Sequence, residues 1–201
     1  IYSFRTTLRC NLKCEYCWQF QQDILNKSNP PETNHSKEIL RIIRQSSPFV
    51  LITGGDPLMR SDIVELMEYA KNVLKFKRIY FITNGTRLHL FEKILEYIDY
   101  LYVSLDSLRV EQYSKRLGVS IKTVDQMIQN TVNFSKLQNK YNFRMSVNIV
   151  VDGDSISDAS EVVDFCVTHN IRFGFNPRRY VEIGSYDHRL KNNIEYINLI
   201  N

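Results

Sequence analysis

Three cysteines near the start of the chain have the type and spacing of ligands for an iron-sulfur cluster. Cys10, Cys14 and Cys17 lie in one short segment with the pattern C-x-x-x-C-x-x-C. A cluster in a soluble protein usually takes four cysteine ligands, but the only other cysteine, Cys166, lies far downstream in an apolar helical pattern. Three thiolates would hold a cubane and leave one iron without a protein ligand. Such an open iron can bind a reactant directly.

Two other uses of clustered cysteines fit this sequence less well. A structural zinc site normally needs two ligand pairs, and the sequence has neither a second C-x-x-C nor an H-x-x-x-H pair, its 4 histidines being isolated. Its 4 cysteines, three of them crowded together, also make a poor disulfide framework. An open cluster is therefore favoured over a three-cysteine zinc site or unused thiols. We expect Cys166 to be a small buried apolar residue.

Composition excludes several classes of protein. The 26 lysines and arginines against 22 acidic residues give a net charge of +4, and the basic residues are dispersed, so nucleic acid is not an indicated partner. The sequence shows no apolar run long enough to cross a bilayer and no signal peptide. We expect a cytoplasmic protein without a membrane partner. A length of 201 residues with 43% apolar content predicts one domain around one core.

Apolar runs that alternate with amphipathic segments indicate how the chain positions its motifs. The clearest helical patterns run from Ser61 to Leu74 and onward from Ser120. Strand-then-helix repeats predict a parallel sheet, because parallel neighbours need a crossover connection. Six such units are too few to close an eight-stranded barrel. The predicted fold is therefore α/β, a partial (β/α)6 TIM-like barrel, with strands at about 2–7, 49–53, 78–83, 100–105, 144–151 and 171–175.

Polar or glycine residues follow the predicted strands. Ligands of parallel α/β sheets gather at the carboxyl ends of the strands, and the cysteine segment follows the first strand. One polar turn would be ordinary, but several along one edge of a sheet indicate a site. The others are Thr53-Gly54-Gly55-Asp56-Pro57, Thr83-Asn84-Gly85, Ser104-Leu105-Asp106-Ser107, Asn148 within the fifth strand, and Asn176-Pro177.

With these motifs in place, the sequence resembles the radical S-adenosylmethionine (SAM) superfamily over about residues 1–177. The resemblance rests on the cysteine segment with its aromatic Tyr16, the Gly-Gly-Asp-Pro turn and the succession of strand-end motifs. It implies a [4Fe-4S] cluster on Cys10, Cys14 and Cys17, with SAM on the fourth iron. It also implies reductive cleavage of SAM to methionine and a 5′-deoxyadenosyl radical, which abstracts hydrogen from a substrate. An electron donor such as flavodoxin or ferredoxin is implied as a partner.

The resemblance also implies which residues contact SAM. Gly54 and Gly55 permit close approach of a backbone, and the Asp56 carboxylate is expected to accept a charge-assisted hydrogen bond from the SAM ammonium. The family more often has glutamate at this position. Further SAM contacts are implied for Tyr16, Thr83, Asn84, Ser104, Asp106, Arg116, Asn148 and Asn176.

Structural roles stay open for several of these residues. Asp106 also fits a helix cap, and Arg116 fits a solvated helix end. Tyr16 could serve only to pack the cysteine segment against the barrel. The Gly54-Gly55 and Thr83-Asn84-Gly85 sequences are common in tight turns. These alternatives concern the SAM contacts and leave the three cysteines unaffected.

The substrate is less defined by the motifs. The Ser104-to-Ser107 motif and the six-unit core resemble the branch that contains the molybdenum-cofactor cyclase and the peptide-maturing enzymes. A peptide or protein substrate is favoured, and a nucleotide or cofactor precursor is the alternative. A non-catalytic iron-sulfur domain for redox sensing or assembly is the alternative outside this class. Residues 1–177 are assigned to the core domain and residues 178–201 to an extension, predicted as a loop and then a helix. In this extension Arg178 or Arg179 is expected either to dock an anionic part of the substrate or to form a solvated basic turn.

Overall fold

The centre of the protein is a six-stranded parallel sheet. The computed structural model describes residues 1–180 and 185–186. Each strand pairs with the next along the chain, and within these residues the two edge strands do not pair with each other. The predicted partial α/β barrel is confirmed. The strands are β1 (Tyr2–Arg5), β2 (Phe49–Thr53), β3 (Arg78–Thr83), β4 (Tyr100–Ser104), β5 (Arg144–Val151) and β6 (Arg172–Pro177).

Helices connect the strands, with one exception. Between β3 and β4 the prediction of a helix is wrong, because the chain forms two 3₁₀ segments, Leu88–Leu90 and Glu92–Glu96. Leu88, Ile94 and Leu95 are fully buried there, so this short connection covers the sheet without an α-helix. The α-helices are α1 (Trp18–Gln21), α2 (Thr33–Ser46), α3 (Ile63–Glu68), α4 (Val110–Leu117), α5 (Ile121–Ser135), α6 (Gln138–Tyr141) and α7 (Ile156–Thr168).

The two clearest helical patterns form as predicted, with one change. Ser120 caps α5, since its hydroxyl accepts a hydrogen bond from the Thr123 N–H at 3.3 Å. The pattern from Ser61 to Leu74 is α-helical only in α3, after which Tyr69–Val73 forms a π-helical turn. The α-helical and π-helical parts bury most of the predicted apolar stripe, including Leu66, Met67 and Ala70, but Val73 near its end is exposed.

The two faces of the sheet differ sharply in burial. Side chains of one face are fully buried, as Ile52, Phe81, Val103 and Val147 show. Successive side chains of a strand point to opposite faces, so the intervening residues form the other face, which we call the open face. Its residues are mostly half-buried. Among the described residues, the helices therefore cover one face and leave the open face accessible.

After β6 the described chain forms a short antiparallel pair, β7 (Arg179–Tyr180) with β8 (Ser185–Tyr186). The helix predicted for the end of the 178–201 extension lies outside the described residues. Among the residues that the structure describes, no helix has the length and apolar character needed to cross a membrane.

Candidate active site

The cysteine segment between β1 and α1 is held on two sides by backbone contacts. On one side, the Lys13 N–H donates to the Leu117 carbonyl at 2.9 Å and the Glu15 N–H donates to the Arg116 carbonyl at 3.1 Å, which joins the segment to the end of α4. On the other side, Asn26 accepts from the Cys10 N–H at 2.9 Å and donates to the Cys10 carbonyl at 3.1 Å. The segment therefore keeps its shape through groups other than its thiols.

The three thiols are half-buried near acidic groups. Burial raises the pKa of the Cys10 thiol to about 11, and the nearby Asp56 charge adds to this effect. Burial likewise raises the pKa of Cys14 well above the usual value, with a further contribution from Asp106. The surroundings thus disfavour the free thiolates of Cys10 and Cys14, so binding of a cationic metal centre would release protons from these two residues.

The cysteine side chains do not converge on one point. Within the described part of the chain, no three His, Cys, Asp or Glu side chains are grouped so as to hold a single metal ion. A cubane takes one thiolate on each of three irons, whereas a zinc ion needs its ligands around one atom.

Gly54 and Gly55 lie against the backbone that leads into the cysteine segment. The Gly55 N–H donates to the Thr7 carbonyl and the Asp56 N–H donates to the Arg9 carbonyl, both at 2.8 Å. A Cβ atom on Gly54 would lie 2.3 Å from the Thr7 oxygen, and one on Gly55 would lie 2.4 Å from the Arg9 oxygen. The close approach that these glycines permit is therefore already used by the protein's own chain.

We expect Gly55→Ala to destabilise the protein by about 1–3 kcal/mol or more, because the new methyl group overlaps a backbone oxygen that cannot move independently. The matched control is Gly174→Ala in β6, where an added Cβ meets nothing within 4 Å. Urea unfolding of both variants measures the difference. Equal stability of the two variants would contradict the packing described for the glycine pair.

Asp56 connects the ends of β2 and β3. Its carboxylate is 1% exposed and accepts hydrogen bonds from the Leu58 N–H at 2.8 Å, the Thr83 hydroxyl at 2.8 Å and the Asn84 N–H at 2.7 Å. Burial raises the pKa of this carboxyl, while these hydrogen bonds act in the opposite direction. A carboxylate has about four acceptor positions, so about one is left for a ligand. The residue organises the site whether or not it also contacts SAM.

Asn84 links the end of β3 to the first cysteine. Its side-chain amide lies 3.7 Å from Cys10 Sγ and donates to Asn11 Oδ1 at 3.0 Å. The Asn84 Oδ1 atom accepts from the Thr86 N–H at 3.0 Å and its hydroxyl at 2.7 Å. The predicted site residues Thr83 and Asn84 therefore stand beside Asp56 and the cysteine segment, as hydrogen-bonded members of one network.

Tyr16 and Asp106 meet on the other side of the cysteine segment. The Tyr16 hydroxyl donates to Asp106 Oδ2, the Tyr113 hydroxyl donates to the same oxygen at 3.3 Å, and the Val150 N–H donates to Asp106 Oδ1 at 2.8 Å. Asp106 is fully buried, and burial raises the pKa of its carboxyl. Its main contacts are thus internal, and it is not the N-cap of α4, where Arg109 stands.

Arg116 lies in a charged cluster with Glu15, Asp152 and Arg178. Its guanidinium is 3.5 Å from Glu15 Oε1 and 3.6 Å from Asp152 Oδ2, and it lies 5.6 Å from the Tyr16 ring centroid. Arg178 donates to Asp152 Oδ2 at 3.1 Å. Burial alone would raise the pKa of Asp152, but the hydrogen bond from Arg178 and its other partners lower it. Arg116 is therefore not a solvated helix end, and Arg178 is committed to an internal ion pair.

Three predicted site residues lie apart from these networks, on the open face. Ser104 on β4 is the register partner of Asn148 on β5, and Asn176 on β6 is the partner of Val150. None of the three polar side chains hydrogen-bonds to another residue in the described part of the chain. Their donors and acceptors are available to a ligand at the carboxyl ends of the strands.

Sequence reasoning missed several residues that shape this site. Asp152 follows β5 and stands where the strand-end rule would have found it. Asn26 and Asn11 belong to no recognisable motif, and Tyr113 lies in an amphipathic helix whose pattern gives no functional signal. Gln19 is buried, and its side-chain amide donates to the Gly54 carbonyl at 3.1 Å.

Comparison with known proteins gives consistent matches. The model of the radical SAM superfamily matches residues 4–166. Probable GTP 3′,8-cyclases from Methanococcus aeolicus and Methanocaldococcus jannaschii are 29% identical over 164 residues and 33% identical over 169 residues. Each alignment covers 80% of this chain, and 53% and 52% of the relatives, so the chain spans about half the length of these curated proteins.

Solved structures share the fold. Streptococcus suis SuiB bound to its precursor peptide SuiA superposes with a TM-score of 0.68 at 25% identity. The match covers 87% of this chain and 38% of SuiB. A second SuiB structure, bound to S-adenosylmethionine, gives a TM-score of 0.69 at 24% identity over 92% of this chain and 42% of SuiB.

Proposed function

The chain belongs to the radical SAM superfamily, and from this membership we propose that Cys10, Cys14 and Cys17 hold a [4Fe-4S] cluster at which SAM is cleaved reductively. The bound cluster and SAM would supply a 5′-deoxyadenosyl radical that abstracts hydrogen from a substrate. The observation that carries the proposal is the link between the cysteine segment and the strand ends, made by Asn84 beside Cys10 Sγ at 3.7 Å. The ligands and the predicted SAM contacts thus share one edge of the sheet.

The residues present fit these groups. One loop offers three thiols, the ligand number that leaves a cubane with one open iron. The Arg116 Nη2 atom is buried and makes no hydrogen bond in the described part of the chain, although it lies 3.6 Å from Asp152 Oδ2 in an ion pair. Its N–H groups could therefore donate to an anion such as the SAM carboxylate that binds beside this pair. Ser104, Asn148 and Asn176 offer further polar groups for the ribose or adenine.

Within this proposal the protein's own residues mainly orient the bound groups and exclude water from the site. Asp56 holds the ends of β2 and β3 together, and Asp106 holds Tyr16 beside the cysteine segment. Both carboxylates are buried, so they keep these elements in place without admitting water. Positioning of this kind lowers barriers by fixing the reactants before the reaction begins.

We propose that the substrate is either a peptide or a nucleotide. The curated relatives are named for a nucleotide, which supports the nucleotide alternative. SuiB was solved with a precursor peptide, which supports the peptide preference on fold alone. We further propose residues 1–177 as the core domain, and flavodoxin or ferredoxin as the class of electron donor.

Formation of 5′-deoxyadenosine tests the chemistry without knowledge of the substrate. Protein reconstituted anaerobically with iron and sulfide is expected to release 5′-deoxyadenosine and methionine when SAM and dithionite are added, as measured by liquid chromatography. A reconstituted protein that carries its cluster but neither binds nor cleaves SAM would instead support the non-catalytic iron-sulfur alternative. Protein treated identically without dithionite is the control.

A further inference from the structure

The open face of the sheet carries an array of three tyrosine rings. Tyr80 on β3 and Tyr100 on β4 are register partners, and their ring centroids lie 4.8 Å apart with an interplanar angle of 16°. Tyr102 lies 6.4 Å from Tyr80 and 6.5 Å from Tyr100, again nearly parallel. All three side chains are half-buried. The rings are stacked on one another, and an outer face of the stack can take one more planar ring.

Two arginines beside this array, Arg144 and Arg172, have no acidic partner among the described residues, whereas Arg78 on the same face lies 3.8 Å from Asp99. Arg144 is the register partner of Tyr100. Ser146 on β5 pairs with Tyr102 on β4 and with Arg172 on β6, so Arg172 lies two strands from Tyr102 in the same row across the sheet. Neither arginine forms an ion pair within residues 1–180, whereas Arg41, Arg60 and Arg109 each have an acidic partner there.

The open face as a whole is basic. Its members follow from the register and the alternation of side chains along each strand. None of the open-face residues of β1 to β6 is acidic. Asp99, which precedes Tyr100, lines a cavity together with Arg144, and its charge is paired with Lys71 and Arg78. The open-face residues are Ser3, Arg5, Phe49, Leu51, Thr53, Arg78, Tyr80, Ile82, Tyr100, Tyr102, Ser104, Arg144, Ser146, Asn148, Val150, Arg172, Gly174 and Asn176.

We infer that the open face binds a nucleotide, with the base on the tyrosine array and the phosphates at Arg144 and Arg172. Bases stack on aromatic side chains, and arginine forks bind phosphate by two-point hydrogen bonds. Strands lie about 4.8 Å apart, so the backbone of Arg144 is one strand from that of Tyr100, and the backbone of Arg172 is two strands from that of Tyr102. This inference names the substrate class of the proposed function and rests on it for the chemistry only.

The position of the array relative to the cysteine segment suits this substrate. Ser104 and Asn148 lie one row closer to the carboxyl ends of the strands than Tyr102 and Ser146. A nucleotide bound on the array would therefore lie one row from polar side chains at the edge where the cysteine segment lies. An added Cβ at Gly174, beside Asn148, meets nothing within 4 Å, so this row leaves room for a ligand.

An extended peptide is disfavoured on this face for a physical reason. Peptides that bind sheets do so by adding a strand to an exposed edge, where main-chain groups are unpaired. The centre of this sheet has no such edge, because β2 to β5 are paired on both sides. The tyrosines and arginines lie mainly on these central strands or next to them.

Separate probes for the ring and for the charge test the inference by calorimetry, without cluster or SAM. We use GTP, guanosine and inorganic tripolyphosphate, and we expect GTP to bind more tightly than either part. Tyr102→Ala should weaken GTP and guanosine by about tenfold and leave tripolyphosphate unchanged. Arg172→Gln should weaken GTP and tripolyphosphate by about tenfold and leave guanosine unchanged.

Two controls keep the result interpretable. Arg41→Gln removes an exposed arginine that is paired with Glu38 on α2, and it should leave all three affinities unchanged. Tyr102→Leu keeps apolar bulk if the alanine variant is unstable, and it should still weaken GTP. The inference is overturned if GTP does not bind, if neither Tyr102 nor Arg172 variant changes its affinity, or if an acidic tyrosine-containing peptide binds more tightly than GTP. Because SAM cleavage is measured separately, none of these outcomes bears on the radical chemistry.

Discussion

Replacing Cys14 by alanine is expected to abolish cluster binding. Loss of one of three thiolates leaves two protein ligands, too few to retain a cubane against exchange. The backbone of the segment should persist, because it is held by Leu117, Arg116 and Asn26 and not by the thiols. Iron content and visible absorbance after anaerobic reconstitution should therefore fall to background while the protein stays folded by circular dichroism.

Cys166→Ala is the matched control for this experiment. Cys166 is fully buried on α7, and burial raises the pKa of its thiol to about 12, as fits an inert packing residue. Its replacement should lower stability slightly through lost packing and leave the iron content unchanged. Full iron in Cys14→Ala protein, or loss of iron in Cys166→Ala protein, would contradict the ligand assignment.

The fold followed from the sequence where local patterns decide the structure. Strands β2, β3 and β5 begin and end at the predicted residues, because buried apolar runs bounded by turns leave few alternatives. The connection from β3 to β4 did not follow. Its apolar residues Leu88, Ile94 and Leu95 recur at helical spacing, which favoured a helix, but two 3₁₀ segments bury the same residues equally well.

The candidate site was predictable in location and less so in its contacts. The rule that ligands gather at the carboxyl ends of strands placed Thr83, Asn84 and Ser104 at one edge of the sheet. No local pattern could reveal that the Tyr16 hydroxyl bonds to Asp106, since 90 residues separate them. Likewise, the partners of Asp56 on β3 become evident only when the strands are brought side by side.

Asp56→Ala is expected to lower the free energy of unfolding by about 3–5 kcal/mol, among the largest effects of any single substitution. Three buried donors would lose their acceptor, namely the Leu58 N–H, the Thr83 hydroxyl and the Asn84 N–H. Each unsatisfied buried donor costs about 1–3 kcal/mol. Urea unfolding measures this, with Asp125→Ala as the control, because Asp125 is exposed on α5 and its loss should change stability by less than about 0.5 kcal/mol.

The same variants distinguish the two roles of Asp56. If its carboxylate also accepts a bond from the SAM ammonium, Asp56→Ala weakens SAM binding by about 1.5–3 kcal/mol beyond the loss of stability. Asp56→Asn sharpens the comparison, because it keeps one acceptor oxygen for Leu58 but presents an amide to the Asn84 N–H, so it should be of intermediate stability. Calorimetric titration of reconstituted protein with SAM, below the temperature at which each variant unfolds, supplies the second measurement. Unchanged stability with weakened SAM binding would mean that Asp56 serves the ligand and that the strand ends are held together by other groups.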